Sequence, residues 1–375
     1  MPSMRELKVL HVCHTLNTGG LERIILEMAR RGREHGFASW VATLGPGGGL
    51  ARELLNLGGH WRGLAKREGL DWRTAPRLVS LAKSMGADVI HGHNEGAGLY
   101  AGLAGRLSAR PAVCTRHGLS FGAGPKGVWL RRAAGWLCRR TVCVGGKVLA
   151  MARHNDRLPA ARLTLIYNGV DTRVFAPDRE ARVRWRGRLG IEPGRPTVIS
   201  VGRLAPEKDY ALLLRAIASL RAGGMDACLL LVGDGRERQG LADLAGRLGL
   251  AESAFFLGER REVPELLNAA DVFALSSLSE GVPMAMLEAM SCGLPVVSTA
   301  VGGAPEVVEH GGCGLLVSSR QPRDLAAALH EILADQGAAR RMGMRGRIRV
   351  LERFSLDAML SAYAALYREL AGGRA

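Results

Sequence analysis

Residues 271–299, DVFALSSLSEGVPMAMLEAMSCGLPVVST, decide the fold. The apolar run DVFALSS has the length of a strand, a turn containing Gly281 and Pro283 follows, MAMLEAMSCG has helical spacing, and LPVVST is a second apolar run. Short strands rich in Val and Leu, joined through a helix, are the unit of a parallel sheet covered on both faces. The alternation continues outward. TVISVGR, CLLLVGD, AFFLGE and GLLVSS read as further strands of this half, and YALLLRAIASLRAGG, QGLADLAGRLGL, VPELLNAA and PRDLAAALHEILAD as its helices. Nearer the amino terminus LKVLHVCH, ASWVATL, DVIHGH, PAVCTRH, RRTVCVG and LTLIYNG read as strands, with LERIILEMARRGREHG and TAPRLVSLAKSMG among the helices between them.

The expected fold class is therefore α/β, with two Rossmann-like doubly wound domains facing across a cleft, residues 1–175 and 176–355. The polar stretch Asp171–Arg195 reads as the linker, and residues 356–375 as an amphipathic helix crossing back to the first domain. A length of 375 residues suits two domains that each bury a core. With 47% hydrophobic and 23% charged residues the chain is not disordered, and no apolar run approaches the roughly 18 residues that span a bilayer. The opening MPSMRE leads straight into strand-like LKVLHVC without a signal-peptide core, so a cytoplasmic protein is expected. Seven cysteines with no C-x-x-C pair read as buried thiols in a reducing compartment, not as a zinc site or a disulfide framework.

Charge is unevenly spread. Residues 1–175 hold 26 basic and 11 acidic side chains, a net of +15, while the rest hold 25 and 24, a net of +1. Between Glu95 and Asp156 there is no acidic residue, and GPKGVWLRRAAGWLCRRTV interleaves Lys126, Arg131, Arg132, Arg139 and Arg140 with Trp129 and Trp136. Such a pattern fits an anionic membrane surface or acceptor-binding surface; a solvated helix face with the tryptophans in the core is the alternative. Nucleic acid is not an expected partner, because no helix-turn-helix spacing, zinc finger or aromatic RNP pattern accompanies the charge.

The chemistry-bearing residues cluster after strands. Gly19 and Gly20 precede a helix, where they either let backbone amides approach a phosphate or sugar or form a plain tight turn. Gly202, Arg203 and Lys208 follow TVISV, a placement suited to a diphosphate or to a solvated loop. Gly233 closes the next strand. Glu280 lies on the loop after DVFALSS and Glu288 eight positions later, about two turns into the following helix, whose amino end around Gly281, Val282, Pro283, Met284 and Ala285 directs its dipole toward an anion.

These segments together resemble a GT-B glycosyltransferase of the retaining family 4. The likeness rests on Glu280-x7-Glu288, GRL-x-x-EK at 202–208, GDG at 233–235, FLG at 256–258, VPELL-x-x-AD at 263–271, EAM-x-CGLPVV at 288–297 and GG-x-PE-VV at 302–308, with GG-x-E-R, HG at 117–118 and YNGVD at 167–171 before them. The resemblance implies transfer of a sugar from a nucleotide-diphosphate donor, with UDP-sugar favoured over GDP-mannose, and retention at the anomeric carbon. By position, Arg203 and Lys208 would neutralise the leaving diphosphate, Glu280 would hold the sugar hydroxyls and Glu288 the ribose. Gly20 would offer its amide near the phosphates, His117 would sit beside the donor sugar, and the base would lie along Gly258, Arg260 and Val263.

No Asp-x-Asp pair occurs, so no metal and no cofactor are expected; cations and a helix dipole would stabilise the leaving group. Met284 stands where many relatives carry a polar or aromatic residue, which leaves the donor sugar open. The acceptor is expected to be a glycan, lipid-linked, in cell-surface or exopolysaccharide biosynthesis, with the enzyme peripheral on the inner face of the cytoplasmic membrane. The alternatives are a soluble transferase making a small glycoside or glucan, a non-hydrolysing sugar-nucleotide epimerase, and a non-enzymatic scaffold.

Overall fold

The structure, a computed structural model, describes residues 5–17, 19–118, 124–318 and 320–373. The chain divides into two compact units, Met1–Asn168 with Asp357–Ala375, and Gly169–Leu356.

The first unit runs β1 (Leu7–Cys13), α1 (Gly20–Arg31), β2 (Phe37–Thr43), α2 (Gly49–Asn56), β3 (His60–Gly63), α3 (Thr74–Ser84), β4 (Val89–His93), α4 (Asn94–Ser108), β5 (Ala112–Arg116), α5 (Pro125–Leu137), β6 (Arg140–Cys143), α6 (Gly146–His154) and β7 (Leu163–Leu165). Its sheet has the order β3-β2-β1-β4-β5-β6-β7 and every pairing is parallel. The inner strands β4 and β5 are buried along their whole length, so helices cover both faces and the strands need no polar alternation. Between β1 and β4 the strand order reverses, and there His11 pairs with His91.

The second unit runs α7 (Arg179–Arg188), β8 (Thr197–Val201), α8 (Tyr210–Ala222), β9 (Cys228–Val232), α9 (Arg238–Arg247), β10 (Ala254–Gly258), α10 (Val263–Ala269), β11 (Val272–Leu275), α11 (Met284–Ser291), β12 (Val296–Thr299), α12 (Ala304–Val307), β13 (Gly314–Val317), α13 (Pro322–Ala334) and α14 (Gln336–Arg353). The order β10-β9-β8-β11-β12-β13 is again all parallel, with its reversal between β8 and β11. Leu213, Leu214, Ile217, Leu229, Leu231, Val272 and Leu329 are among the core residues gathered over one face of this sheet.

Two expectations change. The unit boundary falls at Asn168, seven residues before position 175. The helix of the last residues, α15 (Leu356–Gly372), lies almost wholly in the first unit, where Asp357 bonds Arg31. Asp171–Arg195 is not a linker. It contains α7, capped by the Asp178 carboxylate on the Ala181 amide. Arg186 of that helix is buried, its guanidinium bonding Thr197 Oγ1 and the carbonyls of Ala269, Glu192 and Arg195. A helix this polar is held by tertiary hydrogen bonds where it has no apolar stripe. The sequence reading also passes over β3, a four-residue edge strand that is half-exposed. All seven cysteines are free and buried.

Candidate functional site

In the second unit the charged residues gather at the carboxyl ends of β8 and β11, where the strand order reverses and open α/β sheets bind ligands. Lys208 ends a short turn, Pro206–Lys208, and its ammonium donates to Glu280 Oε1 at 2.5 Å. Ser277 Oγ donates to the same oxygen at 2.6 Å. The pair is only partly shielded, with 23% and 11% of the two side chains exposed, so a ligand can reach it.

Backbone links fix that pair from both sides. The Leu278 amide donates to the Glu207 carbonyl, Ser276 Oγ to the Lys208 carbonyl, and Thr299 Oγ1 to the Ser277 carbonyl. On the other flank the Gly303 amide donates to the Gly281 carbonyl at 2.8 Å. Gly302 has φ +54° and a Cβ there would overlap the Glu280 carbonyl, so this close approach of two loops requires glycine. Gly233 has φ +136° and lies as close to the Gly202 carbonyl, while its amide donates to the Gly258 carbonyl. Gly202, Gly233 and Gly258 thus form one layer of backbone at the strand ends.

The remaining residues of this unit are placed as follows. Arg203 is 74% exposed and pairs with Glu207 at 2.8 Å, on the same strand end as Lys208 but not against Glu280. Arg260 is exposed and donates to the Leu257 carbonyl, and Val263 opens α10. The helix α11 begins at Met284, so Glu288 lies just over one turn into it and not two. Val282 and Pro283 are buried, Gly281, Met284 and Ala285 half-buried, and the Met286 amide is engaged by the Pro283 carbonyl.

In the first unit, Gly19 caps α1 in extended conformation and Gly20 is exposed at its first position. The Glu22 carboxylate folds back on Gly19, and burial raises its pKa. Thr18 and the loop residues 119–123 lie outside the described residues. His117 follows β5 and begins a series of contacts that composition did not signal: His117 Nε2 to His93 Nδ1 at 3.0 Å, His93 Nε2 to His11 Nδ1 at 3.0 Å, and His11 Nε2 to Ser39 Oγ at 3.1 Å. The Asn94 side-chain oxygen accepts from the His117 amide. His91 lies beside His93, with ring centres 4.1 Å apart and the planes tilted by 31°, and bonds Tyr367 OH and Thr115 Oγ1. Alternate-residue His in LKVLHVCH and DVIHGH, on strands the sequence already marks as central, is the signal that could have found this cluster.

His11, His91 and His93 are also one of two groups among the described residues whose ligand atoms lie close enough to hold a metal. The His11 and His93 nitrogens that face each other share a hydrogen bond, and both His91 nitrogens bond hydroxyls. Burial pushes the His11 and His117 pKa values down to about 3 and holds His91 and His93 well below the usual range, with neighbouring histidines adding to the effect for the latter two. Unfolded histidine binds a proton near pH 6.5 and these do not, so they favour the fold above that pH. That contribution is lost progressively as pH falls from about 6.5 toward about 3. Thermal melts from about pH 7.5 to about pH 4.5 are expected to show stability falling with a slope approaching 1.4 kcal/mol per pH unit for each such histidine, about the free energy of one pKa unit. A flat profile would contradict neutral burial.

The basic tryptophan stretch forms α5. Trp129 and Trp136 are 54% and 47% exposed, and Lys126, Arg132 and Arg139 are exposed near them. Arg131 is a correction: it is buried, its Nε donating to Asp156 at 3.1 Å, with Arg116 on the same carboxylate at 2.5 Å. A cation amid aromatic residues looks like surface until its partner, 25 positions away, is placed. Arg140 pairs with Glu369 at 2.6 Å. No helix among the described residues is long and apolar enough to cross a membrane.

Two parallel doubly wound α/β units define the class: this is the GT-B glycosyltransferase fold. The chain belongs to the glycosyltransferases of group 1 and family 4, residues 182–349 matching Glycosyl transferases group 1 and residues 18–174 matching Glycosyltransferase Family 4. It is 31% identical over 329 residues to the alpha-maltose-1-phosphate synthase of Mycobacterium tuberculosis, covering 78% of this chain and 82% of that one. It is 34% identical over 261 residues to the GDP-mannose-dependent alpha-(1-6)-phosphatidylinositol monomannoside mannosyltransferase of Mycolicibacterium smegmatis, covering 65% of this chain and 66% of that enzyme. The match to the corresponding Mycobacterium tuberculosis mannosyltransferase spans 57% of its length. The crystal structure of Anabaena HepE in complex with UDP superimposes with a TM-score of 0.86 at 24% identity, covering 97% of this chain and all of that one.

Proposed function

We propose that this chain is a retaining glycosyltransferase that moves a sugar from a nucleotide-diphosphate donor to a glycan acceptor, lipid-linked and presented at an anionic membrane surface. The Lys208–Glu280 pair at the β8/β11 reversal carries the reading. Lys208 is the cation for the leaving diphosphate, joined by Arg203 when it leaves Glu207, and the second oxygen of Glu280 takes a sugar hydroxyl. The leaving diphosphate itself helps to deprotonate the acceptor, which removes the need for a carboxylate nucleophile. Glu288 takes the ribose, and Gly258, Arg260 and Val263 border the base. Relatives support donors of both kinds: one is named as GDP-mannose-dependent and HepE was crystallised with UDP.

Transfer is tested with UDP- and GDP-sugars against a lipid-linked saccharide, a neutral oligosaccharide and a small sugar phosphate, reading the anomeric configuration of the product. An α-linked product from an α-linked donor on the lipid-linked acceptor supports the reading; turnover on the small acceptors alone would favour a soluble enzyme of small glycosides, and epimerisation of a UDP-sugar without acceptor would favour an epimerase.

The exposed Trp129 and Trp136, flanked by Lys126, Arg132 and Arg139 in a region of strong positive charge, support the membrane surface. Replacing these three cations with glutamine is expected to weaken binding to phosphatidylglycerol vesicles roughly a hundredfold, at about 1 kcal/mol per residue. Equal sedimentation with neutral phosphatidylcholine vesicles would contradict it.

A further inference from the structure

The histidine series of the first unit has a direction, and its hydrogen count sets it. Ser39 Oγ lies 3.1 Å from the Met28 carbonyl and 3.1 Å from His11 Nε2. A hydroxyl has one hydrogen and a carbonyl can only accept, so both contacts are hydrogen bonds only if Ser39 donates to Met28 and His11 Nε2–H donates to Ser39. A neutral His11 then has a bare Nδ1, which must accept from His93 Nε2–H. His93 Nδ1 is bare in turn and accepts from His117 Nε2–H. At the end of the series His117 Nδ1 is left unprotonated. That atom is buried and has no hydrogen-bond partner among the described residues. An orphaned buried N–H is rarer than an orphaned acceptor, so this end of the series agrees with the other.

We propose that Ser39, His11 and His93 are positioning residues that lock His117 as its Nε2–H tautomer, so that Nδ1 serves as an acceptor for a hydroxyl hydrogen of the donor sugar. The ligand assignment rests on the nucleotide-sugar reading above; the tautomer lock rests on the hydrogen bonds alone. The low pKa values of His11, His93 and His117 keep the series neutral, without which the direction would not hold. His91 packs against this series but is outside it, its nitrogens being held by Thr115 and Tyr367. The lock acts at a distance: Ser39 stands three imidazoles away from the nitrogen it controls.

The test uses the full chain with ¹⁵N-labelled histidine and long-range proton–nitrogen correlation, the rings being assigned from His117→Gln and His93→Gln spectra. The expected spectrum shows protonated Nε2 and bare Nδ1 for His11, His93 and His117, with UDP-glucose or GDP-mannose perturbing His117 Nδ1. Ser39→Ala removes the acceptor that sets the direction, so the reversed series becomes accessible and His117 acquires proton on Nδ1. Its KM for the donor is expected to rise about fivefold, the scale of one net hydrogen bond, with a smaller change in kcat. Ser39→Thr keeps the hydroxyl and should restore both spectrum and KM. A protonated His117 Nδ1 in the wild type, or a spectrum unchanged in Ser39→Ala, would overturn the lock. If the spectrum is as expected but neither nucleotide sugar binds, the nucleotide-sugar reading fails while the lock stands.

Discussion

Lys208→Ala is expected to lower kcat/KM for sugar transfer by about 10²–10³-fold, the scale on which a preorganised group that stabilises developing negative charge is missed. The ammonium is held in place before any ligand arrives, by Glu280 at 2.5 Å and by a turn whose Lys208 carbonyl is bonded to Ser276. A donor diphosphate bound as proposed would therefore meet a charge that has no reorganisation left to make. The fold should survive the change. With 23% of the Lys208 side chain exposed the pair is screened, and its loss should cost stability only on the order of 1 kcal/mol. Steady-state kinetics beside a thermal melt separates the two effects; a variant as folded as the wild type and within tenfold of its kcat/KM would remove Lys208 from the mechanism.

Asp156→Ala should act in the opposite way, on stability before activity. Its carboxylate is fully buried and bonds two guanidinium groups, Arg116 at 2.5 Å and Arg131 at 3.1 Å, which are 1% and 7% exposed. Removing it leaves two cations in the interior with little compensation, a loss of about 3–5 kcal/mol. Against the 5–15 kcal/mol typical of a whole protein, that loss should unfold much of the first unit at moderate urea. Urea titration checks it, and the triple variant Arg116→Met, Arg131→Leu, Asp156→Leu should recover most of the loss, because the penalty belongs to unpaired charge. A change below about 1 kcal/mol in the single variant would mean that water reaches the triad.

The fold was legible because both sheets are parallel and buried. Runs such as CLLLV and VIHGH have no outward face to encode, so they stand out from the helices between them. What escaped was held by tertiary hydrogen bonds: α7, whose buried Arg186 is bonded to four groups, and β3, half-exposed at the sheet edge. The site divides in the same way. Glu280, Lys208 and the glycines were marked by their place after strands, although nothing in the sequence said that Lys208 and Glu280, 72 positions apart, bond each other. Arg131 was misplaced because a long cation beside tryptophan reads the same on a membrane face as over a buried carboxylate. His117 was found through its motif, whereas its tautomer depends on Ser39 and two further histidines brought together by three strands.

The most direct test of the account is a thermal-shift series with UDP-, GDP- and ADP-sugars, each with and without chelator, on the wild type and on Lys208→Ala. A ligand that binds only the native state raises its melting temperature. The account predicts a rise with one nucleotide class, unchanged by chelator and lost in Lys208→Ala. No rise with any of them in folded protein would contradict donor binding and leave a degenerate scaffold as the better description, and a rise abolished by chelator would contradict the expectation that the site works without a metal.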